Sequence, residues 1–547
     1  MVVSTAPVNI EASSEAANLK FEQENPDLRK IDSLPNAMNE IINQLDLTQS
    51  EIEMVITVHG YNTSRNSVKD WYKDVYKYVN KDELLRRQKN KVFIGYRWPS
   101  ETVKGDTETP IIPKLFGLIK ALPVLPRYIF WVGLIGTSGF FTGLILNTNS
   151  SNWSRALLGL AVIIFSWLFA TIFTMVLLRF SLYFRDSYRA NQYGVPDLVE
   201  LIRQIDKYLI LHTPGQTEDE KMAFWNQKKI KLSFLGHSMG GFVVTSTVRI
   251  LSDVFDNRSI GTTNLDNPEK HPGSEIGHVF KLGRLLLVSP DIPVDTILQG
   301  RSNFLSSSLR RFEEAYLFSN EGDLALRLAS TAANYFSFPA NTRHHGYRLG
   351  NLAVGSKAYG IINLDELQLL QPETLSLMAA DDYLSNLEIG SSGKDKESLV
   401  KLQSRMGSEC NLDSMHLARN FSFFDCTDYK DTTNYKNKTD QEIGVLSNAL
   451  RKQNLSFWDY LVLTFQYFFL GKDVHGGYFR GDFTRDLMYS LLFVGIKDYA
   501  SSLADNRNQK DITSDRIFNN GLEKINNKCQ SKGIQALLSP TRTWMMD

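Results

Sequence analysis

"KLSFLGHSMGGFV" (Lys231–Val243) runs from a string of strand formers into Gly236-His237-Ser238-Met239-Gly240, and an apolar, helix-compatible segment follows. The spacing fits G-x-S-x-G. A serine raised on a sharp strand-to-helix turn needs small residues two positions before and two after it, because the chain doubles back there. The turn sets the hydroxyl beside a helix N-terminus, where developing negative charge is favoured. The pattern alone is common, and a glycine-rich turn with an incidental serine is the alternative. Here a strand precedes it and "GFVVTSTVRIL" continues it as a helix, so Ser238 is the expected nucleophile.

Outward from this turn, short apolar runs recur: "EMVITVHGYNTS" (Glu53–Ser64), "KVFIGYRWPS" (Lys91–Ser100), "RLLLVSPDIPVD" (Arg284–Asp295), "EEAYLFSNEGDLAL" (Glu313–Leu326) and "NFSFFDCTDY" (Asn420–Tyr429). Between them, "VPDLVELIRQIDKYLIL" has helical spacing. Short apolar strands alternating with helical segments predict an α/β fold with a mostly parallel central sheet covered on both faces.

A free serine needs a base held by an acid. In a fold of this kind the acid follows the serine in the chain and the histidine comes last. Asp323, just past a strand end, is the favoured acid, and Asp291, at the end of the preceding strand, is the alternative. The base is one of His344, His345, His416 and His475. His475 is favoured, because "GKDVHGGYF" is a glycine-rich loop after the last strand run. The expected oxyanion hole takes one N–H from Met239 and one from the loop at His59-Gly60-Tyr61-Asn62, with Tyr61 the donor.

The chain has 547 residues, no net formal charge and three cysteines, Cys410, Cys426 and Cys529. Nothing in this balance suggests nucleic acid, and no disulfide framework, metal-ligand spacing or phosphate-binding glycine loop is present, so no cofactor and no metal are expected. Two stretches, Tyr128–Leu146 and Ala156–Leu178, carry no charge, and "NTNSSNWSR" joins them. Each is long enough to cross a hydrocarbon core of ~30 Å as a helix. Gly139 and Gly143 would let the two helices approach closely. Lys114, Lys120 and Arg127 precede the pair and Arg179, Arg185 and Arg189 follow it, so both flanks are expected on the cytoplasmic side of a membrane. Strands before and after the pair can share one sheet only if the number of crossings is even, which two satisfies.

The motifs "VHGYN", "YRWPS", "GHSMGG", "SPDIPVD", "SNEGDLAL", "RLG", "FFDCTD" and "HGGYF" occur in an order that resembles the bacterial alpha/beta hydrolases of unknown function that carry an H-G-[FY]-N motif, relatives of lipases and esterases. The resemblance implies the α/β-hydrolase fold, with Ser238 as nucleophile, Asp323 as acid and His475 as base. The uncharged pair, the sequence after Gly350 and the long stretch before His475 are additions to that pattern.

The expected organisation is a polar N-terminal tail (1–45), a first part of the α/β domain (46–127), a transmembrane helical hairpin (128–178), the core with the serine turn (179–350), a region of insertions with the last strand and the histidine (351–490) and a C-terminal segment (491–547). The expected activity is a membrane-anchored serine esterase of lipase-like type. Its partners are the lipid bilayer and an ester or lipid substrate. An inactive membrane scaffold with the same fold is the alternative. "SFWDYLVLTFQYFFLG" (Ser456–Gly471) is left open between a core helix and an interfacial one.

Overall fold

The computed structural model describes residues 2–3, scattered positions between 38 and 47, 51–100 except 88–89, isolated positions between 131 and 166, 180–259 except 216 and 254, 272–293, 304–327, 348–353, 421–432, 442–450, 455–504 and 514–537. Most of the hairpin, together with His344, His345, His416 and Cys410, lies outside the described residues.

Every apolar run read as a strand is one. The strands are β1 (Val2–Val3), β2 (Glu53–Val58), β3 (Lys91–Arg97), β4 (Ile230–His237), β5 (Glu275–Ile276), β6 (Phe280–Val288), β7 (Glu314–Ser319), β8 (Ser422–Asp425), β9 (Lys430–Asp431), β10 (Ile443–Gly444) and β11 (Gln535–Leu537). One sheet has the order β1-β3-β2-β4-β6-β7-β8-β11, with β5 paired to β6. It is parallel from β1 to β8, while β11 and β5 pair antiparallel. Strands β9 and β10 form a separate antiparallel pair.

Successive strand residues point to opposite faces, and here both faces are apolar. Met54, Ile56, Phe234, Leu285, Leu287 and Leu317 enter one buried cluster. Val55, Leu235, Leu286, Val288, Tyr316 and Phe318 enter the other. The first is covered by α2 (Val195–His212) and α3 (Met239–Leu251). The second is covered by α1 (Arg65–Lys81), α5 (Asp482–Phe493), α6 (Ile496–Leu503) and α7 (Ser514–Ser531). Helix α4 (Phe457–Phe465) lies over a small third cluster of Leu324, Leu455, Leu463 and Val474. The N-terminus differs from a loose tail at one point: Val2 and Val3, both strand formers, pair with Tyr96 and Arg97 on the edge of β3.

The sheet reverses its direction of growth at β2 and β4. Strand β3 lies on one side of that pair and β6 on the other. The crevice beyond the carboxyl ends of strands at such a switch point is where α/β folds bind ligands. His59 follows β2 and Ser238 follows β4, so the order of the sheet alone sets these two loops side by side.

Among the described residues no helix is long and apolar enough to cross a membrane. The described positions between 131 and 142 and between 159 and 166 are helical. The Thr142 hydroxyl donates to the Ser138 carbonyl at 2.7 Å, one turn back. Ile135 and Leu160 are exposed, and a Cβ at Gly136 or Gly139 would meet nothing within 4 Å.

The opposite end of the sheet holds a buried charge network. The Arg284 guanidinium lies 2.8 Å from Glu53 and 3.5 Å from Glu314, and Lys91 is 2.8 Å from Glu53. Burial alone would raise the Glu53 carboxyl, but Arg284 and Lys91 outweigh it and hold it below its ordinary range. Arg284→Met removes a cation shared by buried Glu53 and partly buried Glu314. It is expected to cost roughly 3–5 kcal/mol in denaturant unfolding. A loss under ~1 kcal/mol, the size of an exposed pair, would show that the network is not buried as described.

Candidate active site

Ser238 has φ 55° and ψ −125°, a conformation that side chains rarely adopt. Three glycines make it possible. A Cβ at Gly236 would lie 2.6 Å from the Gly241 Cα, and one at Gly240 would lie 2.3 Å from the Val58 carbonyl oxygen. A Cβ at Gly60 would lie 2.9 Å from the Ser238 Cβ. The G-x-S-x-G spacing and the H-G pair are therefore one steric requirement seen from two strands. Ser238 is fully buried, and its Oγ has no hydrogen-bond partner among the described residues.

His475 Nδ1 lies 2.6 Å from Asp323 Oδ2. An ionised carboxylate only accepts, so Nδ1 carries the proton and Nε2 is left as the acceptor. Nε2, like the Ser238 hydroxyl, is buried without a partner. Burial opposes the imidazolium, yet the Asp323 charge and hydrogen bond outweigh it, so the His475 pKa sits above the ordinary histidine value. The Asp323 carboxylate is fully used. Oδ1 accepts from the Ala325 and Leu326 N–H groups at 3.0 and 3.1 Å, and Oδ2 also accepts from the Ser289 hydroxyl. Asp291 is held elsewhere: Arg348 Nε is 3.1 Å from its Oδ1. The same guanidinium donates to the Tyr183 hydroxyl at 3.2 Å.

Four other groups fix the machinery, and none stood out in the sequence. Ser289, at φ 45°, follows β6 and turns its hydroxyl onto Asp323. The Asn320 amide donates to the Val474 carbonyl at 2.8 Å, tying the histidine loop to the end of β7. His237 Nε2 lies 3.3 Å from the His475 carbonyl and so donates to it. Burial, helped by His475, holds the His237 pKa down to about 3, so the ring stays neutral. Asp186 accepts from the Asn62 N–H at 2.8 Å and from the Ser100 hydroxyl at 2.9 Å. Asn62 has φ 51°, so this carboxylate pins the bend just after Tyr61. Burial pushes the Asp186 pKa up, while Arg185 beside it opposes the shift.

Tyr61 lies close to both His475 and Tyr183. Its ring is 6.4 Å from the His475 ring and 6.1 Å from that of Tyr183. The Trp98 indole N–H donates to the His59 carbonyl at 2.8 Å, and its ring stacks on His59. His59 Nδ1 donates to the Gly60 carbonyl at 2.8 Å, and burial with Arg97 nearby holds its pKa down to about 3. The loop proposed to supply the Tyr61 N–H is thus clamped by Trp98 on one side and Asp186 on the other. Met239 is the first residue of α3, directly after Ser238.

Residues 222–359 match the family model described as alpha/beta hydrolase of unknown function (DUF900). That segment carries β4, Ser238, β6, Asp291, β7, Asp323 and Arg348. The family found is the one the motifs resemble, and it points to a hydrolase. No curated protein and no solved structure matches the chain.

Proposed function

We propose that this protein is a membrane-attached serine hydrolase that cleaves an ester, a lipid or other acylated molecule, through Ser238, His475 and Asp323. The observation that supports the reading is that Ser238 Oγ and His475 Nε2 are each buried with no hydrogen-bond partner among the described residues, while Asp323 already orients the histidine. Nε2 takes the hydroxyl proton as Oγ attacks the ester carbonyl carbon. The carbonyl oxygen gains the negative charge, and the Met239 and Tyr61 N–H groups stabilise it. When the tetrahedral intermediate collapses, the ester C–O bond breaks and the imidazolium returns the proton to the departing alkoxide. The acyl group stays on Ser238. Water, deprotonated by Nε2, then attacks the acyl carbon, and the carboxylic acid leaves as Oγ recovers the proton. No redox partner is needed.

Membrane attachment is supported by the two uncharged stretches and by the helical, exposed positions described within them. The hairpin 128–178 crosses twice and leaves the catalytic domain on the cytoplasmic side.

Fluorophosphonate labelling tests the chemistry. Covalent labelling of the folded protein at Ser238, lost in Ser238→Ala, is expected. A folded protein that resists the probe would leave an inactive scaffold with this fold. A second test concerns the loop after β2. Asp186→Ala releases the Asn62 N–H and displaces the neighbouring oxyanion donor. Loss of a whole donor costs ~10²–10³ in kcat, so a fall of about 10–10² with little change in KM is expected. Asp186→Asn keeps an acceptor oxygen and should recover most of the activity. Equal damage from both variants would show that Asp186 acts through its charge and not through the loop.

A further inference from the structure

We propose that the outer face of α4, with the π-helical turn Gln466–Leu470 that continues it, is a seat for the lipid surface, which sets the Ser238 loop beside the bilayer. This rests on the membrane-attached hydrolase reading.

The inner side of α4 is fixed to the acid loop. Ser456 and Asp459 form a reciprocal cap at its start. Leu463 is buried against Leu324, Leu455 and Val474. The Tyr460 hydroxyl donates to Glu321 Oε1 at 2.8 Å, and Arg327 lies over the Tyr460 ring. The outer side is the opposite in character. Phe457 and Trp458 are each 72 % exposed, and Leu461, Val462 and Leu470 are exposed as well. A shallow hollow of about 330 Å³ opens among Phe457, Tyr460, Leu461, Thr464 and Phe465. Among the described residues of 457–470 the charged side chain, Asp459, is buried, and a contiguous apolar patch of this kind marks an interaction surface.

The position of the patch selects lipid. Helical residues 180–189 follow directly on the uncharged stretch Ala156–Leu178, and Phe184 and Tyr188 on them are exposed. Tyr183 on that helix meets Tyr61, and Tyr61 lies near His475, which follows Leu470 by five residues. The exit of the uncharged stretch and the loop that follows the apolar helix therefore both approach Tyr61. A hairpin in the bilayer brings that edge to the membrane, where phenylalanine, tryptophan and leucine favour the interfacial zone.

The test uses the full chain in phosphatidylcholine/phosphatidylglycerol nanodiscs. Nitroxides are placed at Leu461→Cys and Val462→Cys in a Cys410→Ser background, since Cys426 and Cys529 are buried. Leu211→Cys, exposed at the far end of α2, is the reference. Access of a water-soluble nickel chelate is expected to be several-fold lower at 461 and 462 than at 211, with oxygen access higher. Equal chelate access at all three sites overturns the seat. So does spin–spin broadening that disappears on dilution with unlabelled protein, which would mean a second copy. Low access to both reagents would mean that the chain's own segments cover the face, and also overturns it. Probe labelling of Ser238 in the same samples reports the hydrolase reading separately. A chain that fails to enter nanodiscs overturns membrane attachment, and the seat with it.

Discussion

Ser238→Ala is expected to lower kcat for ester hydrolysis by about 10⁶-fold, the scale of losing a nucleophile that acts as one unit with its base. The expected effect on stability has the opposite sign. The Ser238 hydroxyl is fully buried and makes no hydrogen bond to the described residues, so the folded state bears its desolvation without return. An unsatisfied buried polar group costs ~1–3 kcal/mol, and alanine removes it. The backbone strain at φ 55° is unchanged, because alanine dislikes that conformation as serine does. Ser238→Ala should therefore melt at or above the wild-type temperature while losing activity, the signature of a residue kept for chemistry at the expense of stability. Turnover of a p-nitrophenyl ester and thermal melting, measured on one preparation, check both halves. Activity within tenfold of wild type would place the nucleophile elsewhere. A large drop in melting temperature would mean that Ser238 has a structural partner.

What the sequence made legible was local. Strand formers and the small residues around Ser238 are short-range patterns, whereas the contact of His475 with Asp323, 152 residues away, was expected only from their order in the chain. What it hid depends on contacts between distant segments. Asp186 reaches Asn62 across 124 residues, and nothing in "RDSYR" marks it as the clamp of a loop after β2. Ser289 bonds Asp323 across 34 residues, and nothing in "GHSMGG" marks that the His237 ring bonds the His475 carbonyl. In α4 the polar residues could not decide between a core and an interfacial helix, for another reason. Asp459 is buried in the N-terminal cap, and the Thr464 hydroxyl donates back to the Tyr460 carbonyl at 2.6 Å. Both are satisfied locally, so neither marks the solvent side. The exposed side is the apolar one, which periodicity alone could not have told from a core face.

Asp323→Asn is expected to lower kcat by about 10⁴-fold with the fold intact, and the cause is the tautomer of His475. The N–H groups of Ala325 and Leu326 need an acceptor, so the new side chain turns its oxygen toward them. Its NH₂ then faces Ser289 and His475 Nδ1, where the carboxylate oxygen stood. Nδ1 must now accept, so the ring carries its proton on Nε2, and the atom that should take the Ser238 proton already holds one. The pH dependence shifts in a defined direction. The base works only when neutral, so activity rises as pH climbs through the His475 pKa. In the wild type that acid limb lies above the ordinary value of 6.5, because Asp323 outweighs burial. Without the Asp323 charge, burial is left to dominate, and the limb of kcat/KM should move below its wild-type position. Asp291→Asn provides the contrast. It removes the countercharge of buried Arg348 and should reduce stability more than kcat, with the acid limb nearly in place. If Asp291→Asn instead costs the greater part of kcat and moves the limb, the acid of this site lies on the strand before Asp323.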